Sequence, residues 1–236
     1  MDTSSQSNAT ASPVTKTRID ITLLAKTRLF QGANAHEIEA MLQCLDAQPR
    51  TYPKGSYIYR MGDMPRAMGL VLKGSVRIES TDAWGATAVF AQIGPGQAFA
   101  EAYACAPGEP MEVAAVAAQD CEVLMLDVQR IINVCSKTCE HHALLIRNLL
   151  AVIARKNIGL SQRARHTAPK TIRGKVLAYL SSQASTQGSR TFDIPFDRQQ
   201  LADYLCVDRS ALSAELGRMK REGIIDVRKN RFVLDN

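Results

Sequence analysis

The chain has 236 residues, 46% of them hydrophobic and 22% charged, which is long enough for two separately buried cores and excludes a low-complexity or fibrous protein. No apolar run approaches the roughly 20 residues that cross a bilayer, and the opening MDTSSQSNATASPVTKT lacks the apolar centre of a secretion signal. The formal charge of +6 is uneven: residues 155–236 carry 16 Lys and Arg against 8 Asp and Glu, a net of +8, leaving −2 for residues 1–154. A polyanionic partner is therefore expected for the C-terminal third alone.

Residues 1–17 are rich in Ser, Thr, Asn and Ala without periodicity and are expected to be disordered. Ile19 to Leu45 reads as helical with a break at Leu29-Phe30-Gln31-Gly32, after which Ile38, Met41, Leu42 and Leu45 share one face. From Arg50 to Asp127 the texture changes to short apolar or alternating runs. They are punctuated by Pro53-Lys54-Gly55, Gly62-Asp63, Lys73-Gly74, Trp84-Gly85 and Gly94-Pro95-Gly96, the pattern of a compact sandwich or barrel. The expected strands are Tyr57 to Tyr59, Leu70 to Leu72, Val76 to Ile78, Val89 to Ile93, Val113 to Val116 and Val123 to Leu126, with Trp84 near a hairpin tip.

Asp127 to Cys135 suits a short helix, and Ser136 or Thr138 can cap a longer one reaching about Gln162. On that helix His142, Leu145, Ile146, Leu149, Leu150, Ile153 and Leu160 form an apolar stripe, widened by Ala143, Leu144, Ala151 and Val152. A helix apolar over so much of its circumference needs cover on more than one side. Homodimerisation through Leu145, Ile146, Leu149, Leu150 and Ile153 is the economical explanation, and complete burial within one subunit is the alternative.

Residues 163–170, RARHTAPK, are polar and broken by Pro169, which reads as a hinge. Thr171 to Ser182 is helical with Ile172, Val176, Leu177 and Leu180 inward; Ala184 to Arg190 reads as a loop and Thr191 to Phe196 as a short strand. The following FDRQQLADYLCVDRSALSAELGRMKREGI reads as two helices around a tight turn. Asp197 caps the first, with Gln200 in the capping-box position, and Asp208 caps the second after an interruption at Cys206-Val207. Leu212, Leu216 and Met219 fall on one side of that second helix, and Arg209, Ser210, Ser213, Ala214 and Gly217 on the other, which becomes basic at Lys220 and Arg221. Ile224 to Val227, the basic tip Arg228-Lys229-Asn230-Arg231, and Phe232 to Leu234 complete a hairpin, giving a winged helix-turn-helix.

Catalytic chemistry is poorly represented. There is no Ser/His/Asp set, phosphate-cradling glycine loop or clustered carboxylate pair, and His36, His141, His142 and His166 all lie outside the β region where a cupin-type metal enzyme needs them. A non-enzymatic protein is expected. Cys135, Cys139 and His142, with Glu140 between, bring soft donors together, but not at a standard zinc spacing, so no metal is assigned. All six cysteines are expected to stay as thiols in the cytoplasm, Cys105 being the better candidate for any redox or electrophile sensing.

This order of elements resembles the CRP/FNR family of bacterial transcription regulators over about residues 19–236. The resemblance is carried by HEIEAML after Leu29-Phe30, by PKGSYIYRMGD, VLKGSVRI and IGPGQAFAE in the β region, and by DRQQLADYLCVDRSALS. It implies an α+β fold with a β-roll, cyclic-nucleotide-binding-like effector domain at residues 18–135, a dimerisation helix at 136–165 and a winged helix-turn-helix domain at 166–236. It further implies that Arg209 reads guanine, flanked by Ser210 and Ser213, while Arg198, Gln199, Arg173, Lys220 and Arg221 meet phosphates. Partners implied are double-stranded DNA at a near-palindromic site, a second copy of the chain, RNA polymerase and a small-molecule effector, with no membrane partner.

The effector pocket would be lined by Phe99, Glu101, Met111 and Glu112. Glu101 matches the family's ribose-binding glutamate, but Met111-Glu112 stands where cyclic-AMP-binding members place an Arg-Ser or Arg-Thr phosphate clamp, and a cyclic phosphate facing Glu112 meets like charge. Cyclic AMP is therefore disfavoured. An iron-sulfur cluster is disfavoured because only Cys44 precedes residue 100, and haem because His141 and His142 sit at a helix start. A cyclic-nucleotide- or metal/redox-responsive module remains the alternative.

Overall fold

A computed structural model describes residues 19–132 and 140–235. The chain divides into two compact units, and the division falls between residues 153 and 154.

The first unit begins with α1 (Ile21–Ala25) and α2 (Ala35–Cys44). Asn34 caps α2 in a reciprocal box, accepting from the Glu37 amide at 3.0 Å while the Asn34 amide donates to the Glu37 carboxylate at 2.7 Å. Eight antiparallel strands follow: β1 (Gln48–Tyr52), β2 (Tyr57–Tyr59), β3 (Ala67–Lys73), β4 (Val76–Thr81), β5 (Thr87–Ile93), β6 (Ala98–Phe99), β7 (Ala114–Ala117) and β8 (Cys121–Asp127). They form two sheets, ordered β1-β8-β3-β6 and β2-β7-β4-β5.

Strand periodicity explains how the layers stack. Along β3, Met68, Leu70 and Leu72 face one way and Val71 the other; along β8, Leu124 and Leu126 oppose Cys121 and Val123. The first set packs on Leu24, Ile38 and Met41 from the N-terminal helices and on Phe30 from the turn between them. The second meets Val76, Phe99, Ala115 and Ala117 to make the core between the sheets. Because β3 and β8 are covered on both faces, their centres, Met68 to Leu72 and Val123 to Leu126, read in sequence as apolar runs rather than alternating ones. The six expected strands are present. Not read from sequence were β1, whose QPRTY is polar because it is a sheet edge paired only to β8, and the two-residue β6. Trp84, 90% exposed, sits in the β4–β5 turn that Asp82 closes by accepting from the Trp84 and Ala86 amides.

Between β6 and β7 lies α3 (Glu101–Cys105), and α4 (Val128–Ile132) follows β8. The expected continuation of that helix to Cys135, the cap at Ser136 or Thr138, and the disordered start at 1–17 lie outside the described residues. The long helix α5 (Glu140–Thr167) corrects two expectations. Leu145 and Leu149, assigned to a subunit interface, are 1% and 3% exposed within their own domain's core, because the helices before the sheet leave a groove that this face fills. Ile146 and Ile153 are half-buried against the same core, whereas Leu150 is 62% exposed.

In the second unit α5 runs through the expected hinge as regular helix and stops at Thr167, whose hydroxyl donates back to the Arg163 and Ala164 carbonyls; Pro169 then bars continuation. The next helix, α6 (Ile172–Gln187), also runs longer than expected. Its Ser/Gln-rich end is polar but helix-compatible, and the stop comes from Gly188, which takes the left-handed conformation at φ +61°. The remaining elements are β9 (Thr191–Asp193), α7 (Arg198–Leu205), α8 (Arg209–Arg221), β10 (Ile225–Arg228) and β11 (Arg231–Leu234), the strands pairing as β10-β11-β9. Val176, Leu180, Leu201, Leu205, Leu212, Leu216, Met219 and Phe232 form one core beneath them.

Candidate nucleic-acid interface and effector site

The helix pair α7–α8 is set by its caps. The Asp197 carboxylate accepts from the Gln200 amide at 2.8 Å while the Gln200 side chain accepts from the Asp197 amide at 2.9 Å. Cys206 turns the chain in the left-handed region at φ +52°, and Asp208 then caps α8 by accepting from the Ala211 amide at 2.8 Å. The Ser210 hydroxyl and the Ala211 amide hold the Asp208 carboxyl below its usual range, so it stays ionised at the positive end of the helix.

Two cations close the other end of α7. Arg163 donates to the Tyr204 and Asp203 carbonyls at 3.2 and 3.1 Å, and Lys175 to those of Leu205 and Cys206 at 3.1 and 3.3 Å. These are the carbonyls at the C-terminal end and cap of α7, where backbone donors run out and only that of Asp203 also accepts from the Cys206 amide at 3.3 Å, so the last turns of α5 and the start of α6 fix the angle at which α7 enters the turn. Behind this lies an aromatic box. His166 Nδ1 is 2.9 Å from the Tyr204 hydroxyl, and its ring meets Tyr179 edge-on with centroids 5.5 Å apart. Phe196 stacks on Tyr179 and tilts against Tyr204. Burial, then the Arg165 charge, push the His166 pKa down; burial pushes the Tyr179 hydroxyl up to about 12. No sequence signal points to the hydrogen-bond partners, which lie 30 to 41 residues apart.

The expected DNA-facing residues separate into two groups. Arg209 opens the exposed face of α8, and its guanidinium has no hydrogen bond or ion pair among the described residues. Ser210 and Ser213 are also exposed, but their hydroxyls donate to Asp208 and to the Arg209 carbonyl, leaving acceptor lone pairs outward. Gln199 is exposed and donates to Asp203 at 2.8 Å; Arg198 is partly buried; Arg221 is exposed. Lys220 is held by Asp226 at 2.6 Å. Arg173, expected at phosphate, instead lies between Glu215 and Glu222, at 2.7 Å from each, and so ties α6 to α8. The guanidinium gains more from two carboxylates held in place than a solvent-facing arginine would. The wing tip carries Arg228, Lys229 and Arg231, all exposed, with Lys229 at φ +53° making the turn.

In the first unit the four residues expected to line a pocket differ in exposure. Phe99 is 2% exposed and lies against Gly69, where a Cβ would fall 2.3 Å from the ring. Met111 is 3% exposed, its backbone locked to Gly62 and Asp63. Glu101 is buried at the start of α3, and Glu112 is exposed, its amide donating to the Tyr103 hydroxyl at 3.4 Å. A cleft of about 450 Å³ opens instead beside Met64, Arg66, Tyr103 and Glu109. Cys105 is half-buried, and burial and the Glu101 charge push its thiol up; burial pushes Cys121 to about 11. Cys135 and Cys139 lie outside the described residues, as does the His141 side chain, and no group of three or more metal-ligating side chains occurs among those described. No described helix is long and apolar enough to cross a membrane.

A sensor-like β domain joined by a long helix to a winged helix-turn-helix defines the class. Residues 49–138 match the cyclic nucleotide-binding domain family and residues 174–236 the Crp-like helix-turn-helix domain family. With the two domains in this order, the chain belongs to the CRP/FNR family. It is 33% identical over 128 residues to the cyclic AMP receptor protein of Thermus thermophilus, covering 54% of this chain and 56% of that protein. It is 29% identical over 89 residues to the transcriptional activator protein FnrL of Cereibacter sphaeroides, covering 38% of this chain and 27% of that one. The matches thus span about half or less of the length of these relatives. Among solved structures, the OCPA complex of CprK aligns at a TM-score of 0.58 with 18% identity, covering 85% of this chain and 89% of that one, a likeness of fold.

Proposed function

We propose that this chain is a DNA-binding transcription regulator acting as a homodimer on a near-palindromic site, without catalytic activity and in the cytoplasm. The observation that carries the reading is α8: Leu212, Leu216 and Met219 anchor it while Arg209, Ser210, Ser213 and Arg221 are presented outward beside a basic wing. Such a helix enters the major groove N-terminus first, with Arg209 donating bidentately to guanine O6 and N7. Gln199, Arg221 and the wing tip meet phosphate. Two copies would place their helices about one DNA turn, roughly 34 Å, apart. Leu150 on the exposed side of α5, continued by Ile146 and Ile153, supplies the dimer contact, and RNA polymerase is the partner that the family implies.

The test is fluorescence anisotropy against duplexes selected from random sequence. Arg209→Ala is expected to weaken the selected site by about 1–3 kcal/mol, roughly 5- to 150-fold, and to relax one position per half-site. Unchanged specificity in a folded variant would remove the assignment.

The regulating ligand is proposed to differ from cyclic AMP, on the support of a buried Met111 and an outward Glu112 at the position of the phosphate clamp. The competing reading, a cyclic-nucleotide-responsive regulator, is favoured by the match to the cyclic nucleotide-binding domain and by the name of the Thermus relative. Isothermal titration decides: no heat at millimolar cyclic AMP is expected, and micromolar binding reverses the choice.

A further inference from the structure

The geometry points to Cys44 as a reactive thiol, activated by His142 and open to oxidation or alkylation by small electrophiles. Cys44 is the last residue of α2 and is exposed. His142, in the first turns of α5 and only 3% exposed, brings Nε2 to 3.8 Å from the Cys44 Sγ across 98 residues of chain. Its other nitrogen, Nδ1, is buried and has no hydrogen-bond partner among the described residues. An imidazole in an apolar core with one nitrogen unsatisfied is destabilising. Its remaining nitrogen is directed at a sulfur that solvent reaches.

The end of a helix disfavours a standing thiolate, since the carbonyl end of the dipole repels negative charge. Activation therefore comes during attack. As the Cys44 sulfur attacks one oxygen of a hydroperoxide, its proton passes to His142 Nε2 and the O–O bond breaks. Sulfur is oxidised by two electrons to a sulfenic acid. The departing hydroxide takes the proton from His142 and leaves as water, so the peroxide is reduced and the imidazole restored. The other described thiols differ: Cys105 and Cys121 have pKa values pushed up by burial, and exposed Cys206 is near Arg163 at 3.7 Å but has no base. An adduct on Cys44 disturbs the hydrogen bond to His142 one turn from Leu145, where α5 is seated in the core. This input is independent of the DNA-binding reading.

The experiment uses the full chain. Hydrogen peroxide oxidation trapped with dimedone, and iodoacetamide alkylation, are followed by peptide mass spectrometry from pH 6 to 9, with Cys206 as the internal comparison. Cys44 is expected to react at least about tenfold faster than Cys206 at pH 7, because only Cys44 has a base in place to take its proton during attack. His142→Gln, which keeps a polar side chain without a base, is expected to remove that lead while leaving the Cys206 rate unchanged. A Cys44 rate no faster than that of Cys206, or a lead that survives His142→Gln, overturns the proposal. Should His142→Gln fail to fold, the wild-type pH profiles decide: parallel decline of the two cysteines below pH 8.5 overturns it, and a flat Cys44 profile from pH 8.5 to 7 supports it.

Discussion

Whether Phe99 is a ligand contact or a wedge in the core can be decided by Gly69→Ala. An alanine methyl at position 69 would lie 2.3 and 2.4 Å from the Phe99 Cζ and Cε1 atoms, less than two-thirds of a normal carbon contact of about 3.8 Å. Gly69 is a strand residue outside the positive-φ set, so its backbone accepts alanine and the whole effect is steric. Displacing a ring that is 2% exposed from between two sheets is an overpacking event, worth about 1–3 kcal/mol. At roughly 2–4 °C per kcal/mol for a chain of this size, the melting temperature should fall by roughly 2–12 °C. The informative measurement is the double-mutant cycle with Phe99→Leu. Alone, that change should cost roughly 1–2 kcal/mol for lost ring volume. Together, the alanine methyl occupies space the ring has left, and the combined loss should be smaller than the sum by about 1 kcal/mol or more. Strictly additive losses in urea unfolding followed by circular dichroism would refute the contact. So would an undiminished melting temperature in Gly69→Ala.

His166 should make the second unit acid-sensitive. Its folded pKa lies below the unfolded value near 6.5, so both states are neutral above pH 6.5 and stability is complete there. Below that pH the unfolded chain takes the proton first, and stability falls until the folded pKa is passed. Urea midpoints between pH 5 and 8 should show this slope, and His166→Gln should flatten it. On the α5 surface, Leu150→Glu should convert dimers to monomers in analytical ultracentrifugation while leaving the monomer's far-ultraviolet spectrum unchanged, because Leu150 contributes little to its own domain's core. Dimers that persist at micromolar concentration would move the interface elsewhere.

Local rules carried much of the second unit. Asp197 with Gln200, Asp208 before an apolar stripe, and the apolar-basic-apolar order of the wing each specify structure within a few residues, and all three were legible. The two helix ends that were misplaced show where composition misleads. Polar residues at 163–167 and 184–187 have the composition of a connection, yet both segments are helical, since only Pro169 and Gly188 interrupt the backbone geometry.

Spatial partners are equally absent from the pattern. Leu145, Leu149 and Leu150 are equally apolar in sequence, and their spacing placed them together on a broad stripe. The fold sends the first two into the domain core and leaves the third in solvent. Arg173 is in sequence like any basic residue near a helix-turn-helix, but the fold sets Glu215 and Glu222 on either side of it. Cys105 is the redox candidate by its position after Glu101, whereas burial disfavours that thiol and the imidazole beside Cys44 comes from 98 residues away.

By itself the sequence determined the class of most elements, the caps that start α7 and α8, the order of the two domains, and the concentration of positive charge in the second. These follow from period, cap chemistry and composition, all of which act within a turn or two of the chain. Tertiary structure alone decided which apolar residues of α5 are seated in the core, which arginines are already neutralised, where Phe99 lies, and which cysteine has a base. Those depend on what a side chain meets across tens of residues, and a one-dimensional pattern has no term for distance in space.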